Sequence, residues 1–232
     1  MADPDPHHYH VSIEGNIGVG KTTFLSETQR HFLAEGIPTS IYPEPVQIWT
    51  QFGSEKLNLL QKMYDEPSRY AFHFQMGAAL TKCDQFVEMV GLCTVERSIW
   101  AQQMVFAPHL KEKGWLTVLE CELLEGLYNR LLNTPFVKPD LIIYYRATPA
   151  VCLERVKKRN RVEENGITIE YLCELHQLYD KWLLGNCTVP VIVLDAEKQD
   201  SVWRKDIWRE IQHRLPISEE YVETGHLKKT EK

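Results

Sequence analysis

Residues 15–22 read Gly15-Asn16-Ile17-Gly18-Val19-Gly20-Lys21-Thr22, which fits G-x-x-x-x-G-K-[ST] at every fixed position. A loop of this kind turns backbone N–H groups toward one anion, and its lysine carries a mobile cation to the outer phosphates. Thr22 offers a hydroxyl to Mg²⁺, Thr23 follows it, and the helix that the loop feeds adds its N-terminal dipole. A strand-like run precedes the loop and a helical pattern follows, as the motif requires. ATP or a related triphosphate is the ligand these residues specify. They do not name the reaction.

Acids and cations at three other places supply what a phosphoryl transfer would need. Glu44 lies in Tyr42-Pro43-Glu44-Pro45-Val46, where two prolines stiffen the backbone around a carboxylate. Held at a strand end near the phosphates, it could accept a proton from an attacking hydroxyl. The same segment also reads as a plain X-Pro turn. Glu96-Arg97-Ser98 ends an apolar run, where a P-loop enzyme places an acid for Mg²⁺. Arg97 would hold a phosphate or the attacking oxygen, unless the pair is only a strand-end salt bridge. Arg155, Lys157, Lys158, Arg159 and Arg161 concentrate positive charge in a chain of net charge −6. Arginine forks suit charge developing on a transferred phosphoryl group. Glu163-Glu164-Asn165-Gly166 then turns the chain, so the stretch reads as a lid. A solvated helix face or a nuclear-localisation run would also fit it.

A slot for a flat ring is the remaining constellation. Gln75, Ala78 and Lys82 fall at i, i+3 and i+7 on one helix face, and Ser98, Gln102 and Phe106 share another. A glutamine amide can bond a base edge at two points. Trp49, Tyr64, Phe74 and Phe106 could stack on a base, although each taken singly also reads as core.

The elements that must position these groups follow from periodicity. Short apolar runs at 9–13, 39–42, 91–95, 141–145 and 189–194 read as strands. Helical patterns fill the spaces between them, at 21–34 closed by Gly36, and at 54–65 and 68–90 broken by Pro67. Alternation of this kind implies an α/β fold with a five-stranded parallel sheet covered on both faces. Ligands in such sheets bind at the carboxyl ends of the strands, where every charged motif above falls. A single domain over 1–215 with a polar tail at 216–232 is expected.

Composition bounds the partners. The 232 residues are 44% hydrophobic and 25% charged, an ordinary globular mix. A net charge of −6 disfavours nucleic acid, which needs a large basic face. No apolar run approaches the roughly 18–20 residues that span a bilayer. The acidic, Pro-rich start lacks the layout of a signal peptide or presequence, so a cytoplasmic setting is expected. Six scattered cysteines with no Cys-x-x-Cys pair read as reduced core residues. His7, His8 and His10 lack a matched second set of ligands and are not taken as a metal site.

Together these motifs resemble the animal-type deoxynucleoside kinases: the deoxycytidine, deoxyguanosine, mitochondrial thymidine and insect multisubstrate enzymes. The likeness runs in order from the P-loop through Glu44-Pro45-Val46 with Trp49, Met63-Tyr64 with Pro67, Phe74-Gln75, Glu96-Arg97-Ser98 and the arginine lid with Glu163-Glu164, about residues 11–195. It implies a P-loop kinase fold and transfer of phosphate from ATP·Mg²⁺ to the 5′-hydroxyl of a deoxynucleoside. Glu44 would be the general base with Arg97 alongside, and Lys21, Thr22 and Glu96 would handle ATP and Mg²⁺. Arg155, Arg159 and Arg161 would form the lid. Tyr64 and Glu164 would hold the 3′-hydroxyl, and Gln75 would read the base with Trp49 and Phe106 packed on it. An adenine-contacting loop would fall near 195–200, and a homodimer is implied.

Departures leave the base open. The cytidine and guanosine enzymes carry Ala, Arg and Asp where this chain has Ala78, Lys82 and Gln102, and the thymidine type carries Val, Met and Ala. Small Ala78 leaves room for a larger base, so broad use including a purine is expected. Pro108 is expected to interrupt a helix that the family runs through. A nucleoside monophosphate kinase and a non-catalytic subunit of the same fold are the rival readings. Glu44 would repel an acceptor phosphate in the first. The second would have lost some of Lys21, Glu44, Glu96 or Arg97, and none is lost.

Overall fold

The computed structural model describes residues 9–134, 137–198 and 213. Within them the five apolar runs pair as one all-parallel sheet: β1 (Tyr9–Glu14), β2 (Thr39–Tyr42), β3 (Leu92–Glu96), β4 (Leu141–Arg146) and β5 (Val191–Asp195), in the order β2-β3-β1-β4-β5. The central strands are buried on both faces, which is why they read as continuous apolar runs. β4 shows the period of two. Leu141 and Ile143 pack with Phe24, Leu25 and Phe32 on one side, and Ile142 and Tyr144 pack with Cys152, Val156 and Leu172 on the other. In register, Ile13 lies beside Glu96 and Tyr42 beside Val95. The carboxyl ends of β1, β2 and β3 are therefore level, and the chain leaves them as the glycine loop, Pro43-Glu44 and Arg97. The topology reverses direction about β1, which makes this the place for a ligand.

Helices cover both faces: α1 (Lys21–Ala34), α2 (Val46–Thr50), α3 (Leu59–Asp65), α4 (Pro67–Val87), α5 (Ile99–Ala101), a π-helical turn Gln102–Phe106, α6 (Ala107–Glu112), α7 (Val118–Leu132), α8 (Pro149–Arg159), a 3₁₀ turn Val162–Glu164 and α9 (Ile169–Leu183). α1 ends as expected, with Gly36 at φ +75° and the N–H of Ile37 bonded to the Phe32 carbonyl. The expected helix over 54–65 is shorter. Phe52 and Leu57 make an antiparallel bridge, and α3 starts only after Asn58, whose side chain accepts the N–H of Gln61 at 2.9 Å. Short α2 has too few residues to show a period and was not foreseen. α4 begins on Pro67 itself, the favoured first position, and stops at Val87 rather than 90.

Pro108 does not interrupt its helix. The backbone widens instead, with the N–H of Ala107 reaching the Gln102 carbonyl, and α6 continues. A proline lacks its N–H and crowds the carbonyl four residues back, and a wider turn relieves both problems.

All six cysteines are free, but only Cys93 and Cys152 are fully buried; the other four are half-buried. Among the described residues no helix is long and apolar enough to cross a membrane. The tail at 216–232, His7, His8 and residues 199–200 lie outside the described residues.

Gly18 shows how tightly the loop is set on the sheet. It sits at φ +79°, and a Cβ there would meet the Cys152 carbonyl oxygen at 2.4 Å. Gly18→Ala should lower stability by about 1–3 kcal/mol, the usual scale of overpacking. A urea midpoint equal to wild type would show that the loop has slack that this geometry denies it.

Candidate active site

Three glycines in left-handed conformations, Gly15 (φ +148°), Gly18 (+79°) and Gly20 (+106°), shape the loop between β1 and α1. Lys21 is 4% exposed and donates to the carbonyls of Gly15 at 3.1 Å and Asn16 at 2.9 Å, curling back over the loop. Burial pushes its ammonium down to about 8. Asn16 is turned away from the loop's mouth: its Nδ2 donates to the Leu172 carbonyl at 2.8 Å and fastens the loop to α9. Thr22 Oγ1 donates to Glu96 Oε2 at 2.9 Å. A hydroxyl and a carboxylate side by side are hard oxygen donors. With phosphate oxygens and water they fit Mg²⁺, which seldom uses an all-protein cage.

Arg97 is the centre of the arrangement. It adopts φ +58°, a conformation that costs an ordinary side chain energy. The flanking bonds hold it there. Its N–H donates to the Ile13 carbonyl at 3.1 Å. Buried Glu14 accepts the N–H and hydroxyl of Ser98, each at 2.7 Å. Burial pushes the Glu14 carboxyl up against these hydrogen bonds. The guanidinium then pairs with Glu44, donates through Nε to Tyr179 Oη at 3.1 Å, and lies 5.1 Å from the centre of the Phe106 ring. For Glu44, burial alone would raise its pKa, but Arg97, Lys21 and Lys82 together hold the carboxyl below its ordinary value.

The slot lies beyond this pair. One cavity is lined by all of the side chains picked out for it: Glu44, Trp49, Tyr64, Phe74, Gln75, Ala78, Lys82, Arg97, Gln102, Phe106 and Glu164. Trp49 and Phe74 meet edge to face at 5.3 Å, and Trp49 Nε1 is bonded to Thr81 Oγ1 at 2.9 Å. Tyr128 Oη donates to Gln75 Oε1 at 2.9 Å, leaving the amide NH₂ as the group offered to the cavity. A second cavity runs over Gly18, Val19, Gly20, Thr22 and Thr23. The two share Gly18, Lys21, Glu96, Arg159 and Arg161, so those residues surround the point where contents of one can react with contents of the other.

The lid arginines divide their work. Arg159 and Arg161 both pair with Glu164, which is 4% exposed. Arg155 lines the second cavity but spends its guanidinium on the carbonyls of Val19 (2.6 Å) and Ala196 (2.9 Å), bracing the glycine loop. Asn58 Nδ2 ties the lid to the start of α3 through Glu163 at 2.8 Å. Glu14, Tyr128 and Tyr179 escaped the sequence reading. Glu14 had a signal, standing directly before the first loop glycine. The two tyrosines lie 53 and 82 residues from their partners, and nothing local marks them.

A family model described as deoxynucleoside kinase matches residues 11–216. A deoxycytidine kinase of Mus musculus is 33% identical over 81% of this chain and 84% of its own length. Deoxycytidine kinase 2 of Gallus gallus is 31% identical over 88% and 89%. The mitochondrial thymidine kinase 2 of Homo sapiens is 31% identical over 81% and 70%.

Tyr128 gives this site a test of its own. Tyr128→Phe frees the Gln75 amide to rotate and should raise the acceptor's KM roughly three- to tenfold, the scale of one hydrogen bond. kcat should stay within about twofold, since the bond of Gln75 is to Tyr128 and not to Glu44 or Arg97. Equal loss in kcat and kcat/KM would show that the bond serves the chemical step instead.

Proposed function

The chain belongs to the deoxynucleoside kinase family and phosphorylates deoxynucleosides from a nucleoside triphosphate, and from that premise we propose how its residues divide the reaction. Glu44 is the general base. It removes the proton of the 5′-hydroxyl as that oxygen bonds the terminal phosphorus, the bond from phosphorus to the leaving diphosphate breaks, and the proton ends on Glu44. The Glu44–Arg97 ion pair in the slot, next to Glu96 and Lys21 that line both cavities, is the observation that carries this reading. A carboxylate kept ionised by Arg97 is a weak base. It suffices because a largely dissociative transfer needs little nucleophilic push from the hydroxyl.

Lys21, Arg159 and Arg161 neutralise charge on the transferred group. Thr22 and Glu96 would hold Mg²⁺, which supplies Lewis-acid neutralisation of the phosphates. Gly15, Asn16, Ile17, Gly18, Val19, Gly20 and Thr23 shape the cradle, with Arg155 bracing it. Tyr64 and Glu164 take the 3′-hydroxyl, while Trp49, Phe74 and Phe106 sandwich the base and Gln75 and Gln102 read it. Glu44→Gln should keep nucleoside binding and cut turnover by roughly 10² or more. In the wild type the acid limb of kcat/KM should lie below the ordinary carboxylate range, because the folded Glu44 is held below its usual value. A Glu44→Gln enzyme of full activity would refute the assignment.

For the base, we propose broad use that includes a purine, with small Ala78 leaving the room. Turnover of the four deoxynucleosides under one set of conditions decides it, and thymidine-only activity would overturn it. We propose that a single domain over 1–215 carries the reaction. The cytoplasm is the compartment we propose; the free cysteines accord with a reducing one.

A homodimer is proposed with it. Val118, Leu119 and Leu123 of α7 are 76%, 65% and 53% exposed, and a second copy would cover them. Light scattering should give twice the chain mass, falling to one for Leu119→Glu/Leu123→Glu. A monomeric wild type would reject the dimer.

A further inference from the structure

Glu44 stands where the sheet can no longer hold it. β2 is an edge strand, and its ladder to β3 ends at Tyr42 and Val95. Pro43 and Pro45 flank Glu44 and have no N–H to donate. Yet Glu44 must meet Arg97, which follows β3.

The missing fastening comes from α4. Lys82 is 2% exposed on its inner face. Its Nζ donates to the Glu96 carbonyl at 2.6 Å and to Gln85 Oε1 at 3.1 Å. Gln85 Nε2 in turn donates to the Pro43 carbonyl at 2.7 Å. The two carbonyls so gripped belong to the residues immediately before Arg97 and Glu44. One turn of helix thus holds both strand ends at a fixed separation.

We infer that Lys82, with Gln85, is a positioning residue that sets the general base against Arg97, and that it does not read the base of the nucleoside. This rests on the proposed role of Glu44. Two of the three ammonium protons are spent at the phosphoryl end of the cavity. The slot therefore meets the aliphatic stem of Lys82, and Gln75, Ala78 and Gln102 are left to select the base. A methionine of similar length would fill the same channel without the cost of desolvating a cation, so the charge at this position has a task. Burial pushes the Lys82 ammonium down to about 8, and Glu44, then Glu96 and Glu14, work against that burial.

The test compares Lys82→Met, Gln85→Leu and the double variant in the full-length enzyme, with kcat and KM measured for each accepted deoxynucleoside. Misplacing a catalytic group by about an ångström costs up to roughly 10²-fold. Lys82→Met should therefore lower kcat about ten- to a hundredfold on all of them alike, with KM within about threefold. Gln85→Leu should act in the same direction and less strongly. The double variant should be no worse than Lys82→Met alone, since both remove one brace.

In a Glu44→Gln background, Gln85→Leu should cost nothing more. A Lys82→Met enzyme that re-ranks the deoxynucleosides while Gln85→Leu matches wild type would overturn the proposal, as would multiplicative losses in the double variant. Should Lys82→Met fail to fold, Gln85→Leu decides alone, because Gln85 is half-exposed; an unchanged kcat there refutes the brace. If Glu44→Gln is inactive while both brace variants are normal, only the brace is wrong. A fully active Glu44→Gln enzyme removes the reading beneath it.

Discussion

The structure turns on one ion pair placed where the backbone does not easily put it. Arg97 must leave β3 in a left-handed conformation for its guanidinium to reach Glu44 and Tyr179 together. An extended residue at that point would stand its side chain off one face of the sheet. The surrounding bonds exist to hold the exception. Ser98 is clamped by Glu14, the Arg97 N–H by Ile13, and the guanidinium by groups from the β2 end and α9. A buried pair of this kind is no source of stability, since desolvation roughly cancels the attraction. It fixes geometry, and the carboxylate it orients stays ionised at neutral pH.

The rest of the site inherits its layout from that point. The glycine loop leaves β1 beside the Arg97 strand end, and the slot is lined from the β2 end and α4, so the proposed phosphate and base sites would lie on either side of the Glu44–Arg97 pair. The arginines of α8 and the turn after it close over the junction, latched by Glu164. Strong positive charge from Lys21, Arg159 and Arg161 therefore surrounds the place where the two cavities meet, where the proposed transfer would move negative charge. This is electrostatic preorganisation, present before any ligand arrives. It also explains why so many cations crowd one corner of an acidic chain.

Much of this was legible in the sequence because the signals are local. The P-loop spells out its own turns. The five strands announce themselves as apolar runs, since a parallel sheet covered on both faces has no polar side to show. Glu44, Glu96 and Arg97 could be found because each follows such a run. What escaped depends on distance or on small elements. Tyr128 meets Gln75, and Tyr179 meets Arg97, across the fold. α2 and the Phe52–Leu57 bridge are too short to carry a period, which is why a helix was expected too early at 54. Pro108 misled for a different reason. Proline's cost in a helix is real, but a π turn lets the helix absorb it without breaking.

That π turn bears on the question the residue types leave open, the choice of base. Gln75 and Gln102 face one cavity, and by residue type alone they are equivalent readers. The structure makes them unequal. Gln75 is pinned from behind by Tyr128, so the direction of its amide is set before a base arrives. Gln102 opens the widened turn, is 8% exposed, and its buried Oε1 has no hydrogen-bond partner. A buried carbonyl without a donor is costly, and rotating the amide toward one relieves that cost. The pinned amide can demand a fixed pattern of donor and acceptor from the base edge, while the loose one can turn to suit what it meets. In the base slot proposed above, one strict reader and one adaptable reader over a small Ala78 would draw selectivity from Gln75 and breadth from Gln102.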